Sequence, residues 1–219
     1  MKGENSVELN HSDRNCRSMS KEEFCRFCHL LYERHLVTGV GGNMSARIND
    51  QVLLTPSGCS LRDIRPEEVL SVDIKGPISE RVRPTRDAGM HLALLKARPD
   101  VNVVFHVHGA HIIAATAMLS PGPDTLPPLT PGFVYYAYPL AMIKFITPGT
   151  DTLARAVTKE LRGKYRKALF LQNHGLVTLG KDFHEALNVA EEIDEAARIF
   201  TITNGNAKAI PLKDLDSIS

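Results

Sequence analysis

The sequence predicts an α/β or α+β layer, a mixed sheet covered by helices, and three observations predict it. Val101, Val103, Phe105 and Val107 occupy alternate positions, the pattern of a strand. Apolar residues recur at helical spacing over about 20–36 and again from Phe183 to Phe200. Between them, strand-like and helix-like segments follow one another without the regular βαβ beat of a doubly wound sheet.

Each element has its own signal. Ser20 with Glu23 forms a capping box, and Phe24, Phe27, Cys28 and Leu31 continue it as a helix to about 36. The glycine-rich stretch 38–45 marks a turn, followed by strands at 45–48 and 51–55 and a second break at TPSG, 55–58. Pro66 to Leu70 reads as a short helical turn, and SVDI as another strand. A helix runs from Asp87 to Ala97, where Pro99 ends it. After the strand at 101–107 comes a helix of small residues at about 109–119, then a proline-rich stretch, 120–150, with few helical cues. Thr150 or Asp151 caps a helix that Gly163 closes near 162. Strands at 168–171 and 176–179 are joined by QNHG, and the long last helix stops near Gly205.

Composition narrows the function classes. With 219 residues the chain suits one domain, expected over 20–219, behind a polar arm at 1–19 expected to be disordered. A net charge of +1 gives no electrostatic case for nucleic acid or a membrane surface. No apolar run approaches the ~20 residues of a membrane span, and the arm lacks a secretory signal, so a cytoplasmic location is expected. Cys25-x-x-Cys28 lies within a helical pattern without a second such pair, and reads as buried thiols rather than a zinc knuckle. Arg162, Lys164, Arg166 and Lys167 read as a solvated loop.

The chemistry concentrates in a few positions. His106 and His108 are two apart in a strand, so both imidazoles emerge on one side and can converge on one ion. A lone histidine is most often a satisfied core or surface residue; a pair at this spacing ending a buried strand points to a metal. His174, in the QNHG turn, is unremarkable alone, but with the other two it completes the three-ligand, open-position arrangement of catalytic zinc. Imidazoles also suit other divalent first-row metals. Asp87 and His91 share a helix face four residues apart; Asp87 then lies near the metal, or else only complements the helix dipole. Asn43, Ser57, Gly58 and Thr85 sit in turns whose amides and hydroxyls can cradle a phosphate, though each alone is more often a plain turn residue. GVGGN departs from the dinucleotide fingerprint, because Met44 stands at its third glycine.

Together these motifs resemble the class II aldolase/adducin family: GGNMS (41–45), LLTPSG (53–58), PTRDAGMH (84–91), ARPDVNVVFHVH (97–108) and LQNHGLVTLG (171–180), in the family's order from about 20 to 205. The resemblance implies a three-layer α/β/α fold with a central, mainly antiparallel sheet, and a homotetramer with active sites between subunits. It implies Zn2+ held by His106, His108 and His174, phosphate held by Gly42, Asn43, Ser57, Gly58 and Thr85, and Asp87 as acid/base.

Three departures bear on the reaction. The aldolases of the family have Glu where this chain has Asp87; its 4-epimerases have Asp there, but their other acid/base residues lack counterparts here. Arg86 replaces the second phosphate-binding serine and can still pair with an anion. The aldolase tyrosine falls near Pro131, and the LPPLTP run (126–131) with Pro148-Gly149 resembles the family's 3-oxo-tetronate 4-phosphate decarboxylases. The expected activity is therefore zinc-dependent carbon–carbon cleavage of a small phosphorylated ketose or sugar acid through a metal-bound enediolate, of aldolase type, with decarboxylation as the alternative. A 4-epimerase, using Tyr135, Tyr136 or Tyr138, and a non-catalytic adducin-like binding module are the rivals.

Overall fold

The computed structural model describes residues 19–77, 79 and 83–218. Apart from Met19, the arm expected at 1–19 lies outside the described residues. Seven strands form one sheet: β1 (Asn43–Ile48), β2 (Gln51–Leu54), β3 (Leu70–Asp73), β4 (Val103–Val107), β5 (Ala141–Ile143), β6 (Ala168–Leu171) and β7 (Gly175–Gly180). Their order is β3-β2-β1-β4-β7-β6-β5. Only β5 and β6 pair in parallel; the other neighbours are antiparallel.

Strand alternation splits the apolar residues between two helical layers. Met44, Phe105 and Phe170 face one way, against α1 (Lys21–Glu33), α3 (Ala110–Met118), α4 (Pro131–Ala137) and α6 (Phe183–Ile202). Val52, Val104, Leu169 and Val177 face the other, against α2 (Ala88–Ala97) and α5 (Asp151–Leu161). The result is the three-layer α/β/α arrangement with a mainly antiparallel sheet. A four-residue helix, α7 (Leu212–Leu215), follows α6. No helix among the described residues is long and apolar enough to cross a membrane.

The local signals act as expected at α1, where the Ser20 hydroxyl accepts the Glu23 N–H at 3.2 Å. Cys25 and Cys28 are buried apolar filler in that helix; burial pushes the Cys25 thiol up to about 11 and Cys28 well above its ordinary value. Two elements within 120–150 differ from expectation. Helix α4 begins with Pro131 at its first position, where the missing N–H costs nothing, and Thr130 caps it by accepting from Phe133 at 3.1 Å. Strand β5 is three residues long, too short to show alternation. Val101 precedes β4 rather than belonging to it, and packs in the α2/α5 layer instead of with Val103 and Phe105.

Two arginines close the α2/α5 layer. Arg47 reaches the carbonyls of Leu95, Arg98 (3.0 Å) and Val101 (2.9 Å) at the end of α2. Arg98, with its side chain 4% exposed, donates to Leu161 (2.8 Å), Gly163 (2.8 Å) and Arg166 (3.1 Å) at the end of α5, and pairs with Asp100 at 2.8 Å. Helix ends leave carbonyls without intrahelical partners, and one guanidinium here satisfies three. Arg98→Met strips those carbonyls of their donor, so urea unfolding of the variant should show a loss of about 3 kcal/mol; a loss under about 0.5 kcal/mol would mean that water replaces the arginine.

Candidate active site

The site forms where β4 ends and its two neighbours begin. His106 is the fourth residue of β4 and is fully buried; His108 follows one residue past the strand. His174 closes the β6–β7 turn, its N–H bonded to Leu171 at 3.0 Å. Gly175 makes that approach possible: its φ is +154°, and a Cβ there would lie 2.2 Å from the Val107 carbonyl oxygen.

The three Nε2 atoms converge. His106 Nε2 lies 2.9 Å from His108 Nε2 and 3.2 Å from His174 Nε2, and the three rings' candidate ligand atoms are all within 4.8 Å of one another. His106 Nδ1–H donates to the Leu176 carbonyl at 3.1 Å, which leaves its Nε2 lone pair bare. His108 Nδ1 accepts the Gly42 N–H at 3.2 Å, so its proton sits on Nε2 and points at His106. To hold a cation through Nε2, the neutral ring would carry its proton on Nδ1 and give up the Gly42 bond. His174 Nδ1 is buried without a hydrogen-bond partner. Burial lowers the proton affinity of all three, and neighbouring rings add to it at His106 and His108: His106 well below the ordinary value, His108 to about 4, and His174 in the same direction through burial, against the pull of Asp87. Three uncharged, convergent imidazoles can hold a divalent metal, and the donor set fits zinc and its first-row neighbours.

Asp87 stands just before α2 and does not cap it with its side chain. The carboxylate turns toward the histidines instead: Oδ2 accepts from Asn43 Nδ2 at 2.9 Å and lies 4.0 Å from His106 Nε2, while Oδ1 accepts from the Gly149 N–H at 3.2 Å. At 7% exposure it is nearly closed off from solvent.

A cleft of about 430 Å³ opens over this group. Gly42, Asn43, Ser57, Gly58, Thr85, Arg86, Asp87, His108 and His174 all line it, so residues read from five separate motifs meet in one place. His106 lies beneath, at the base of the histidine group. Gly42 has φ +77°, and a Cβ would lie 2.4 Å from Val37 and 2.9 Å from the His106 carbonyl, so only glycine brings this turn against β4. Val40 and Cys59 also line the cleft and carried no chemical signal in the sequence. Tyr135, Tyr136 and Tyr138 are not among the residues lining it; the Tyr138 hydroxyl donates to Asp124 at 2.6 Å.

Sequence reasoning underused His91. It is fully buried, with Nδ1 2.7 Å from Ser45 Oγ and Nε2 2.6 Å from Asn43 Oδ1. Burial lowers it to about 4. The available signal was the spacing of Asn43 and Ser45, two apart in a strand and so facing one helix.

The fold and the metal-competent cleft define a class. The model of the Class II Aldolase and Adducin N-terminal domain matches residues 22–201, and the chain belongs to this family. Among its relatives, a 3-oxo-tetronate 4-phosphate decarboxylase of Haemophilus influenzae is 30% identical over 84% of this chain and 88% of its own length. An L-fuculose phosphate aldolase of Methanococcus maripaludis is 32% identical over 85% of this chain and 98% of its own. The solved structure of an L-fuculose 1-phosphate aldolase superposes with a TM-score of 0.80 at 25% identity, covering 93% of this chain and 95% of the other.

The histidines also set a pH response. An imidazole held below its ordinary 6.5 in the fold binds protons more readily when unfolded, so folding loses free energy as pH falls from 6.5 toward about 4 and keeps it above. In metal-free protein the urea midpoint should fall steadily between pH 6.5 and 4.5 and flatten above pH 7.5. A flat profile across that range would contradict neutral, buried rings.

Proposed function

We propose that this chain is a divalent-metal-dependent carbon–carbon lyase, with Zn2+ as its resident ion, acting on a small phosphorylated ketose or sugar acid. The observation that carries the reading is the convergence of three Nε2 atoms in a cleft beside a buried carboxylate. Relatives named as aldolases and decarboxylases of phosphorylated substrates support the reaction class. A cation on His106, His108 and His174, when bound, supplies Lewis-acid stabilisation of negative charge developing on a substrate carbonyl.

The remaining work falls to the chain's own groups. Gly42, Asn43, Ser57, Gly58 and Thr85 form the phosphate end, where amide and hydroxyl donors anchor the substrate away from the reacting bond. Arg86 is the sole lysine or arginine among the described residues lining the cleft, and it pairs with a second anionic group or with the phosphate. Asp87 moves the proton. In retro-aldol cleavage it takes the hydroxyl proton of the departing fragment; the carbon–carbon bond breaks, its electron pair passes toward the carbonyl, and an aldehyde leaves. In decarboxylation the bond to the carboxylate breaks, its electron pair passes toward the carbonyl and carbon dioxide leaves with no proton to lose; Asp87 then relays a proton from water to the carbon left behind.

Aldolase-type cleavage is the reading adopted, and decarboxylation is the second, favoured specifically by Arg86 beside Asp87. The active assembly is proposed as a cytoplasmic homotetramer, on family resemblance, and sedimentation velocity tests the assembly. Metal-loaded protein incubated with phosphorylated ketoses and 3-oxo sugar-acid phosphates should release dihydroxyacetone phosphate with an aldehyde, or the same product with carbon dioxide. Neither product from any member would defeat both readings. His174→Ala should lose stoichiometric zinc, whereas an adducin-like module would hold none even unaltered. Asp87→Asn should keep the metal and lose about a hundredfold or more in kcat.

A further inference from the structure

Behind Asp87 runs a line of polar contacts whose far members, His91 and Ser45, the proposed reaction does not use. Ser45, His91, Asn43 and Asp87 are all buried, and each touches the next: Ser45 Oγ to His91 Nδ1 at 2.7 Å, His91 Nε2 to Asn43 Oδ1 at 2.6 Å, and Asn43 Nδ2 to Asp87 Oδ2 at 2.9 Å. Every proton in this line has one consistent placement. A carboxylate only accepts, so Asn43 must present its NH2 to Asp87. Its carbonyl oxygen then faces His91 and needs a donor, which only the Nε2–H form of the ring supplies. That form leaves Nδ1 bare, and the Ser45 hydroxyl donates to it.

We propose that His91 is a positioning residue: as the neutral Nε2–H imidazole it fixes the orientation of the Asn43 amide, and through it keeps the Asp87 carboxylate turned toward the histidine triad. Burial disfavours the charged ring, which keeps one nitrogen a donor and the other an acceptor. Without the ring's N–H the Asn43 amide keeps one orienting partner instead of two, and its oxygen is left buried without a donor. An amide that turns away to find another donor gives up the Asp87 bond, and Asp87 then retains only the Gly149 N–H. Asn43 also lines the phosphate end of the cleft, so one side chain ties the anchoring of substrate to the placement of the proton carrier.

The inference rests on the proposed lyase reaction for its kinetic test, and two further measurements do not. His91→Leu removes the donor while filling most of the space; His91→Gln restores an N–H at nearly the same point. In zinc-loaded protein His91→Leu should lose about tenfold or more in kcat, with KM within about twofold and zinc content unchanged, and His91→Gln should recover most of the loss. In a crystal structure of His91→Leu, Asn43 Nδ2 should lie beyond the ~3.5 Å limit of a hydrogen bond from Asp87, and in His91→Gln it should not. Equal losses in both variants with Asn43 and Asp87 in place, or full activity in His91→Leu, would overturn the proposal. Should His91→Leu fail to fold, two-bond 1H–15N spectra of histidine-labelled wild-type protein decide it, because an Nδ1–H tautomer at His91 excludes the role. If the wild-type protein turns over no substrate, the lyase reading fails, while the crystallographic and tautomer measurements still decide the geometry.

Discussion

The register of three central strands fixes the site. Antiparallel pairing sets Asn43 of β1 opposite His106 of β4, and His106 opposite Val177 of β7. Directly paired residues share a face, so Asn43, Ser45 and His106 all look toward the α2/α5 layer. Helix α2 then delivers Asp87 just before its first turn and His91 one turn later, both on the side that meets those strands. A slip of one residue between β1 and β4 would turn Asn43 and Ser45 into the other core, among Phe105 and Phe170. The proton line, the carboxylate and the histidine group therefore depend on backbone pairing before any side-chain chemistry begins.

Two glycines complete the convergence from opposite sides of β4. Gly42 lets the turn before β1 press on His106, and Gly175 lets the turn before β7 press on Val107. The end of one strand is thus enclosed by the beginnings of its two neighbours, and the histidines crowd into less space than charged rings would tolerate. The arrangement holds because burial keeps them neutral. It also leaves polar capacity unused, most plainly at His174 Nδ1, and such a cost persists where a bound partner or a reaction draws on it.

Much of this was legible in the sequence, for identifiable reasons. Period-two alternation placed His106 and His108 on one side of β4, and a glycine after His174 marked the turn that carries the third ring. Helical spacing joined Asp87 to His91. What alternation and spacing miss is contact between elements distant in the chain. Arg47 and Arg98 look like surface cations in sequence, yet each is drawn in by carbonyls at a helix end that only the packed layer assembles. Helix α4 buries two residues and β5 spans three, so neither is long enough to express a period. His91 was seen as a neighbour of Asp87, but its partners lie 46 and 48 residues away, on a strand whose pairing had to be known first.

The same division between sheet and loop bears on how one scaffold accommodates relatives named for different reactions. Asn43 and His106 sit in paired strands, where a change of position disturbs the register of the whole centre. Ser57, Gly58 and Arg86 sit in turns at the rim, in two segments joined to each other by backbone bonds such as Ser57 N–H to the Arg83 carbonyl. Ser57 and Arg86 can be exchanged at little cost to the fold. In the proposed chemistry the base of the cleft stabilises the charge left when a carbon–carbon bond breaks, whatever departs. The departing group must be read by the rim. An aldehyde leaves behind nothing that an arginine need recognise, whereas a carboxylate presents a planar anion that a guanidinium binds through two parallel hydrogen bonds. Arg86 is the position in this chain where that difference can be expressed without moving a strand.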